Sequence, residues 1–205
     1  MATTTSAKRQ QDFQNSDSGS ATQPPIQNLK FERADWTSFR TVEGLQQKAG
    51  VAASKLRRLV LKELTDNALD AGAHVQIGQL EGGDGYFIDD DGPGIGGEPE
   101  DIARLFSIAR PMVSTKLLRL PTRGALGNGL RVVAGAVLAS DGSLVVATRN
   151  RRIVLRPEHN GSTKVISTEP VNFPVGTRIE MAFGSAIPED RDALTLAWHR
   201  LDPWP

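Results

Sequence analysis

The sequence predicts an α+β domain: a two-layer sandwich whose mostly antiparallel sheet carries helices on one face. Three observations lead there. Helical patterns fall at 41–49, 55–72, 99–106 and 130–139, with a final one from Pro188 onward. A glycine-rich turn, Gly82-Gly83-Asp84-Gly85, separates two short apolar runs and makes a hairpin of them directly after the second helix. Several more strand-like runs follow one another late in the chain, with no helix between them.

Length and composition bound the reading. The chain has 205 residues, no cysteine and a formal charge of zero. That length suits one ordinary domain with tails and can bury a real core. Disulfides and thiolate metal sites are excluded. Bulk charge does not argue for nucleic acid. No stretch is long and apolar enough to span a membrane, and the N-terminus lacks a signal-peptide core. The expectation is a soluble, cytoplasmic protein.

Residues 1–28 are rich in Ser, Thr, Gln and Asp and read as a disordered tail, leaving 29–205 as the domain. Thr41 to Ala49 reads as a short helix ended by Gly50. Ala52 or Ser54 then opens the helix around which the chain is organised, KLRRLVLKELTDNALDAG, stopped at Gly72. Residues on a helix turn by about 100° each, so Glu63, Asn67 and Asp70 form one polar stripe. Val60, Leu64, Ala68 and Ala71 are expected on the buried side of it, and Lys55, Arg58, Lys62 and Asp66 in water. The stripe thus lies at the edge of the core, where oxygen ligands suit Mg²⁺ and water handling. On the helix alone, pairing of the stripe with Lys62 or Arg58 is the lesser alternative.

The strand 74–80 and its partner 86–88 run into Asp89-Asp90-Asp91-Gly92-Pro93-Gly94-Ile95. Three acids in line cannot all be buried unpaired. Gly92 to Gly97 matches the dinucleotide pattern G-x-G-x-x-G, but the preceding acids would repel a pyrophosphate, and no acid follows about 20 residues on to hold a ribose. A helix from Pro99 to Phe106 follows. Ser107 to Arg123 has no clean period and reads as a lid. It leads into Arg123-Gly124-Ala125-Leu126-Gly127-Asn128-Gly129-Leu130 and an apolar helix. A glycine-rich loop feeding a helix start is a ready anion site. It is not a Walker A loop, because Lys and Ser/Thr do not follow the last glycine. Strands are expected at 144–147, 153–155, 165–167 and 176–181. Arg149, Arg151, Arg152 and Arg156 cluster on one hairpin, as a solvated face or a nucleic-acid contact. His74, His159 and His199 are scattered and suggest no catalytic arrangement.

Order and spacing together resemble the GHKL (Bergerat-fold) ATPase superfamily over roughly residues 41–183. KELTDNALDAGA resembles its first box, E-x-x-x-N-x-x-D-A. Asp90 to Ile95 resembles the second, D-x-G-x-G. Arg123 to Leu130 resembles the glycine box of the lid, and Gly176-Thr177 the closing G-T. The R-G-x-x-G-x-G form is most similar to type IIB topoisomerase B subunits, and L-D-A-G-A to MutL-type mismatch-repair proteins. The histidine-kinase branch fits poorly, since no histidine-bearing helix precedes the first box.

The resemblance implies ATP and Mg²⁺ as cofactors, and it implies roles. Glu63 would be the general base on the attacking water, and Asn67 the Mg²⁺ ligand. Asp90 would accept the adenine amino group, joined through water by Thr177. Ala71 and Ile95 would line the base pocket, and Asp70 would support it through water. Gly92 and Gly94 would let the backbone pass close to the base. Gly124, Gly127, Asn128, Gly129 and Leu130 would wrap the phosphates, with Lys116 reaching toward them. Relatives place a second domain after this one, which returns a lysine to the γ-phosphate; here roughly 20 residues follow the G-T strand. Three functions are therefore open: a nucleotide-gated ATPase clamp in DNA topology or repair, a non-hydrolysing ATP sensor or binding subunit, and a DNA-binding adaptor using the arginine hairpin. The implied partners are a second copy of the chain or a DNA-cleaving or DNA-repair subunit.

Overall fold

Thr41 starts the first helix, α1 (Val42–Ala49), by accepting the Gly44 N–H on its hydroxyl at 3.1 Å. That satisfies one of the donors a helix start leaves free. Gly50 ends the helix in the left-handed region (φ 67°), with its N–H on the Gln46 carbonyl at 2.8 Å. The computed structural model describes residues 35–71, 74–110 and 128–199. The expected tail, the Gly72 stop, and Lys116, Gly124 and Gly127 lie outside those residues. A short 3-10 helix at Asp35–Arg40, not anticipated from the sequence, precedes α1 and buries Phe39.

Helix α2 (Leu56–Asp70) follows a 3-10 turn at Ala53–Lys55. It buries Leu56, Val60, Leu61, Leu64 and Ala68. The hairpin comes next, with β1 (Val75–Gln79) antiparallel to β2 (Gly85–Asp90). Helix α3 (Pro99–Leu105) carries a capping box between Glu98 and Asp101 and a proline at its start. Helix α4 (Gly129–Ala139) is buried along most of its length. Four strands complete the sheet: β3 (Ser143–Thr148), β4 (Arg151–Pro157), β5 (Thr163–Pro170) and β6 (Thr177–Ala182). A short helix, α5 (Ala193–Trp198), follows.

The sheet order is β1-β2-β6-β3-β4-β5, and every described pairing is antiparallel. One cross-strand row runs Ile77, Ile88, Ile179, Val146, Ile153 through five strands. These residues point to the face on which α2 and α4 pack. Each such aliphatic side chain contributes about 1.5–3 kcal/mol when fully buried. The last described strand, β6, inserts between β2 and β3. It thereby sets Thr177 opposite both Asp90 and Thr148.

The opposite face of the sheet is polar. There the Arg178 guanidinium lies 4.1 Å from the Phe87 ring centroid and 2.8 Å from both Asp89 and Glu180.

Two expectations for α2 are corrected. Ala71, expected on the buried side, is exposed, because the helix ends at Asp70 and Ala71 is its C-cap. Asp66, expected in water, is 3% exposed. Its carboxylate is paired there, with Lys62 Nζ 2.9 Å from Oδ2, while α5 packs against α2 elsewhere, and Leu196 and Ala197 line a cavity with Lys55, Arg58 and Lys62. Asp190 fastens that segment with a two-pronged bond from Arg58, 3.0 Å on each arm. Among the described residues, no helix is long and apolar enough to cross a membrane.

Candidate functional site

Glu63 and Asn67 are half-buried on α2, and Asp70 is exposed at its end. Glu63 reaches the start of α4. A Cβ added to Gly129 would stand 2.7 Å from Glu63 Oε2, so the carboxylate occupies space that only glycine leaves open. The α4 start has donors to offer. Asn128 takes the N-cap position without a side-chain cap bond, and its Oδ1 is buried with no hydrogen-bond partner among the described residues. An orphan amide oxygen, the free N–H groups of a first turn and a carboxylate therefore meet in one place.

The surface pairing left open for the stripe is present as well. Lys62 Nζ lies 3.1 Å from Glu63 Oε1 and 2.9 Å from Asp66 Oδ2. Burial pulls the Lys62 ammonium down, but Asp66 and Glu63 outweigh it and hold the group above the ordinary lysine value.

The three aspartates separate in three directions. Asp89 points to the far face of the sheet, where Arg178 bonds it at 2.8 Å, while its Oδ1 is buried without a partner among the described residues. Burial pushes its carboxyl up in spite of the arginine. Asp90, next along the strand, points to the helix side. Its Oδ1 accepts the Gly92 N–H at 3.0 Å. Burial pushes this carboxyl up too, against the N–H groups of Gly92 and Thr177, and the charge of Asp91 adds to the rise. Asp91 turns outward and is held low by the His74 N–H at 2.6 Å and the His74 ring at 3.0 Å.

The loop after Asp90 is packed at backbone distance. A Cβ on Gly92 would lie 3.1 Å from the Ala71 Cβ, so the first and second boxes touch. Gly94 sits at φ 72°, and a Cβ there would lie 2.8 Å from the Thr148 hydroxyl. Thr148 is fully buried. It accepts the Ile95 N–H at 2.9 Å and donates to the Gly176 carbonyl at 3.0 Å. Gly176 is itself left-handed, at φ 84°, and a Cβ there would collide with the Asp90 carbonyl. Thr148 thus ties the second box to the closing G-T. Sequence reasoning missed it; the only signal was a polar residue ending the apolar run Leu-Val-Val-Ala.

The structure therefore brings together Glu63 with Gly129, Ala71 with Gly92, Asp90 with Gly92 and Thr177, and Gly94 and Ile95 with Thr148. Leu130 is half-buried in the first turn of α4. The four arginines of the hairpin do not share one face. Arg151 bonds the Gly97 carbonyl at 2.6 Å and Glu98 at 3.4 Å, and Arg149 lies over Pro93 and Gly96. Arg152 pairs with Glu180 and Arg156 with Glu158.

Among the described residues, no group of three or more His, Asp or Glu side chains could hold a metal. Mg²⁺ does not need one. It binds through one or two protein oxygens, keeps several waters and takes the rest from a bound phosphate chain. A half-buried Asn67 amide beside a carboxylate fits that mode.

No family model matches the chain. Over 125 residues it is 33% identical to the DNA mismatch repair protein MutL of Pelotomaculum thermopropionicum. That stretch is 58% of this chain and 20% of the relative, so the chain spans about a fifth of the length of the curated relative it matches. Among solved structures, the ATPase region of Saccharomyces cerevisiae topoisomerase II bound to ICRF-187 (dexrazoxane) superposes with a TM-score of 0.50 at 14% identity. The match covers 70% of this chain and 43% of that one, and it shows a shared fold. The N-terminal domain of a DNA repair protein is also similar, with a TM-score of 0.42 and 21% identity over 69% of this chain and 40% of that one.

Proposed function

We propose that this chain, which has the Bergerat fold of the GHKL superfamily, is an ATP-binding, Mg²⁺-dependent ATPase module that acts as a nucleotide-gated clamp or dimerisation element in DNA topology or repair. The observation that carries the reading is the meeting of Glu63 with Gly129. It sets a candidate base against the start of a helix whose free N–H groups suit a phosphate.

Asp90 accepts a hydrogen bond from the adenine amino group. A half-buried acceptor with a raised carboxyl gains from a neutral donor and avoids the repulsion a phosphate would bring. Ala71 and Ile95 line the base pocket, Thr177 joins Asp90 through water, and Asp70 supports the site. Gly92 and Gly94 allow the backbone close approach. The phosphates meet the N–H groups of Asn128, Gly129 and Leu130 and the α4 dipole, with Gly124, Gly127 and Lys116 completing the wrap. Asn67 holds Mg²⁺, which supplies positive charge to the phosphate oxygens when bound. Glu63 orients the attacking water and takes its proton. Closure over the nucleotide favours pairing with a second copy or with a DNA-processing subunit, and DNA is the substrate of the assembly.

The test compares Mg²⁺-dependent ATP hydrolysis by the wild type and Glu63→Gln, together with mass in the presence of a non-hydrolysable analogue. Loss of a general base costs about 10²- to 10⁴-fold in rate while binding is kept. A doubled mass with the analogue supports the clamp. A Glu63→Gln variant that turns over like the wild type removes the proposed base. Binding without turnover in the wild type would make the chain a sensor.

A further inference from the structure

We propose that Lys62 is a positioning residue for Glu63, with Asp66 as its anchor; the inference rests on the reading of Glu63 as the base. Adjacent residues on a helix do not face each other. Helical geometry alone therefore does not bring the Lys62 ammonium to 3.1 Å from Glu63 Oε1. The lysine stem must lie across the helix surface, and Asp66 keeps it there at 2.9 Å from one turn further on. The Asp66 side chain is 5% exposed, so the anchor cannot swing into water.

The consequence falls on the two Glu63 oxygens. Oε1 is held by the lysine. Oε2 is left directed at the start of α4, where a Cβ on Gly129 would stand 2.7 Å away. A carboxylate on a half-open helix surface otherwise samples several rotamers, and a base must keep one geometry to work. Helix stabilisation does not account for the pair. A lysine placed N-terminal to its acid at i,i+4 is the weaker orientation against the helix dipole. The lysine sits on the same helix as the base, so the device needs no second domain.

The experiment measures kcat and KM for ATP, analogue affinity and Tm in the wild type, Lys62→Met, Lys62→Gln, Lys62→Arg and Glu63→Gln. Loss of positioning lowers kcat by about ten- to a hundredfold in the two neutral variants, with KM and analogue affinity near wild type. Lys62→Arg, which keeps charge and reach, recovers most of the rate. A structural role alone would move Tm and leave kcat in place. The proposal is overturned if Glu63→Gln is inactive while both neutral variants keep wild-type kcat, or if neither neutral variant folds, which would make Lys62 structural. A wild type without turnover, or a Glu63→Gln variant with normal turnover, instead brings down the reading of Glu63 on which the proposal rests.

Discussion

The Thr148 hydroxyl accepts the Ile95 N–H at 2.9 Å and donates its own O–H to the Gly176 carbonyl at 3.0 Å, so one buried oxygen joins two boxes 81 positions apart in the chain. Thr148→Val keeps the shape and removes both bonds. Each buried group left unpaired costs about 1–3 kcal/mol. Denaturant unfolding should therefore show a clear loss of stability, and titration with ATP a weaker Kd. Thr148→Ser should keep most of both. A valine variant with unchanged stability and affinity would mean that the knot does not shape the site.

Gly129→Ala separates stability from turnover. Alanine is the better helix former by about 1 kcal/mol. The added Cβ meets the Glu63 side chain, most tightly its Oε2 at 2.7 Å, the far end of a flexible side chain, with Cβ and Cδ at ordinary contact distance. Tm should hold or rise while ATP hydrolysis falls, because the carboxylate has left its place. Steady-state kinetics beside thermal unfolding would read both. Normal kcat in a folded Gly129→Ala variant would contradict the placement of Glu63.

Gly176 has no such latitude. Its φ of 84° disfavours any side chain, and the Cβ would collide with the backbone of Asp90 rather than with a side-chain tip. Gly176→Ala should cost more than the roughly 1–3 kcal/mol of a strained backbone conformation alone. Poor soluble yield or a sharply lowered Tm is expected; a variant as stable as the wild type would contradict the described β2–β6 contact.

Asp90 gives a pH signature with a definite sign. Burial raises its carboxyl above the ordinary value, so the ionised form weakens the fold, and stability from this group falls as pH rises from the unfolded value through the folded one. Asp90→Asn removes that fall. The variant should have the higher Tm at neutral pH, and the difference should shrink as pH drops toward about 4, the ordinary aspartate value. Asp91 runs the other way. Held low by His74, it contributes stability that is present above the ordinary value and is lost as pH falls through the lowered one. Thermal melts across pH for both Asn variants would separate the two. A variant no more stable than the wild type at neutral pH would argue against a buried Asp90 charge.

Local signals in the sequence were legible because local physics made them. Thr41 and Gly50 bracket α1 as a cap and a left-handed stop, and the glycine turn produced the β1–β2 hairpin. Glu63 of the α2 stripe and Gly129, the first residue of α4, lie against each other. Other features were not legible in the periodic pattern. Asp66 is 3% exposed although the helical period placed it on the wet side, and its carboxylate is held by Lys62 at 2.9 Å. Ala71 fits the apolar period but stands past the helix end. Thr148 acquires its role only when β6 inserts between β2 and β3, a strand order that periodicity does not encode. Three aspartates in line cannot all be buried unpaired, as the sequence already implies. Strand alternation sends neighbours to opposite faces, and each acid meets different partners.

The central claim is an adenine-reading pocket at Asp90, and titration of ATP and GTP in Mg²⁺ into the wild type and Asp90→Asn tests it most directly. An acceptor aimed at the adenine amino group meets a carbonyl in guanine, and a site built around one such bond rejects the mismatched partner by a factor on the order of 10⁴ at best. The wild type should therefore bind ATP and discriminate strongly against GTP, and Asp90→Asn should lose both the affinity and the preference. Equal binding of the two nucleotides, or an Asp90→Asn variant that binds ATP like the wild type, would contradict the pocket and the function built on it.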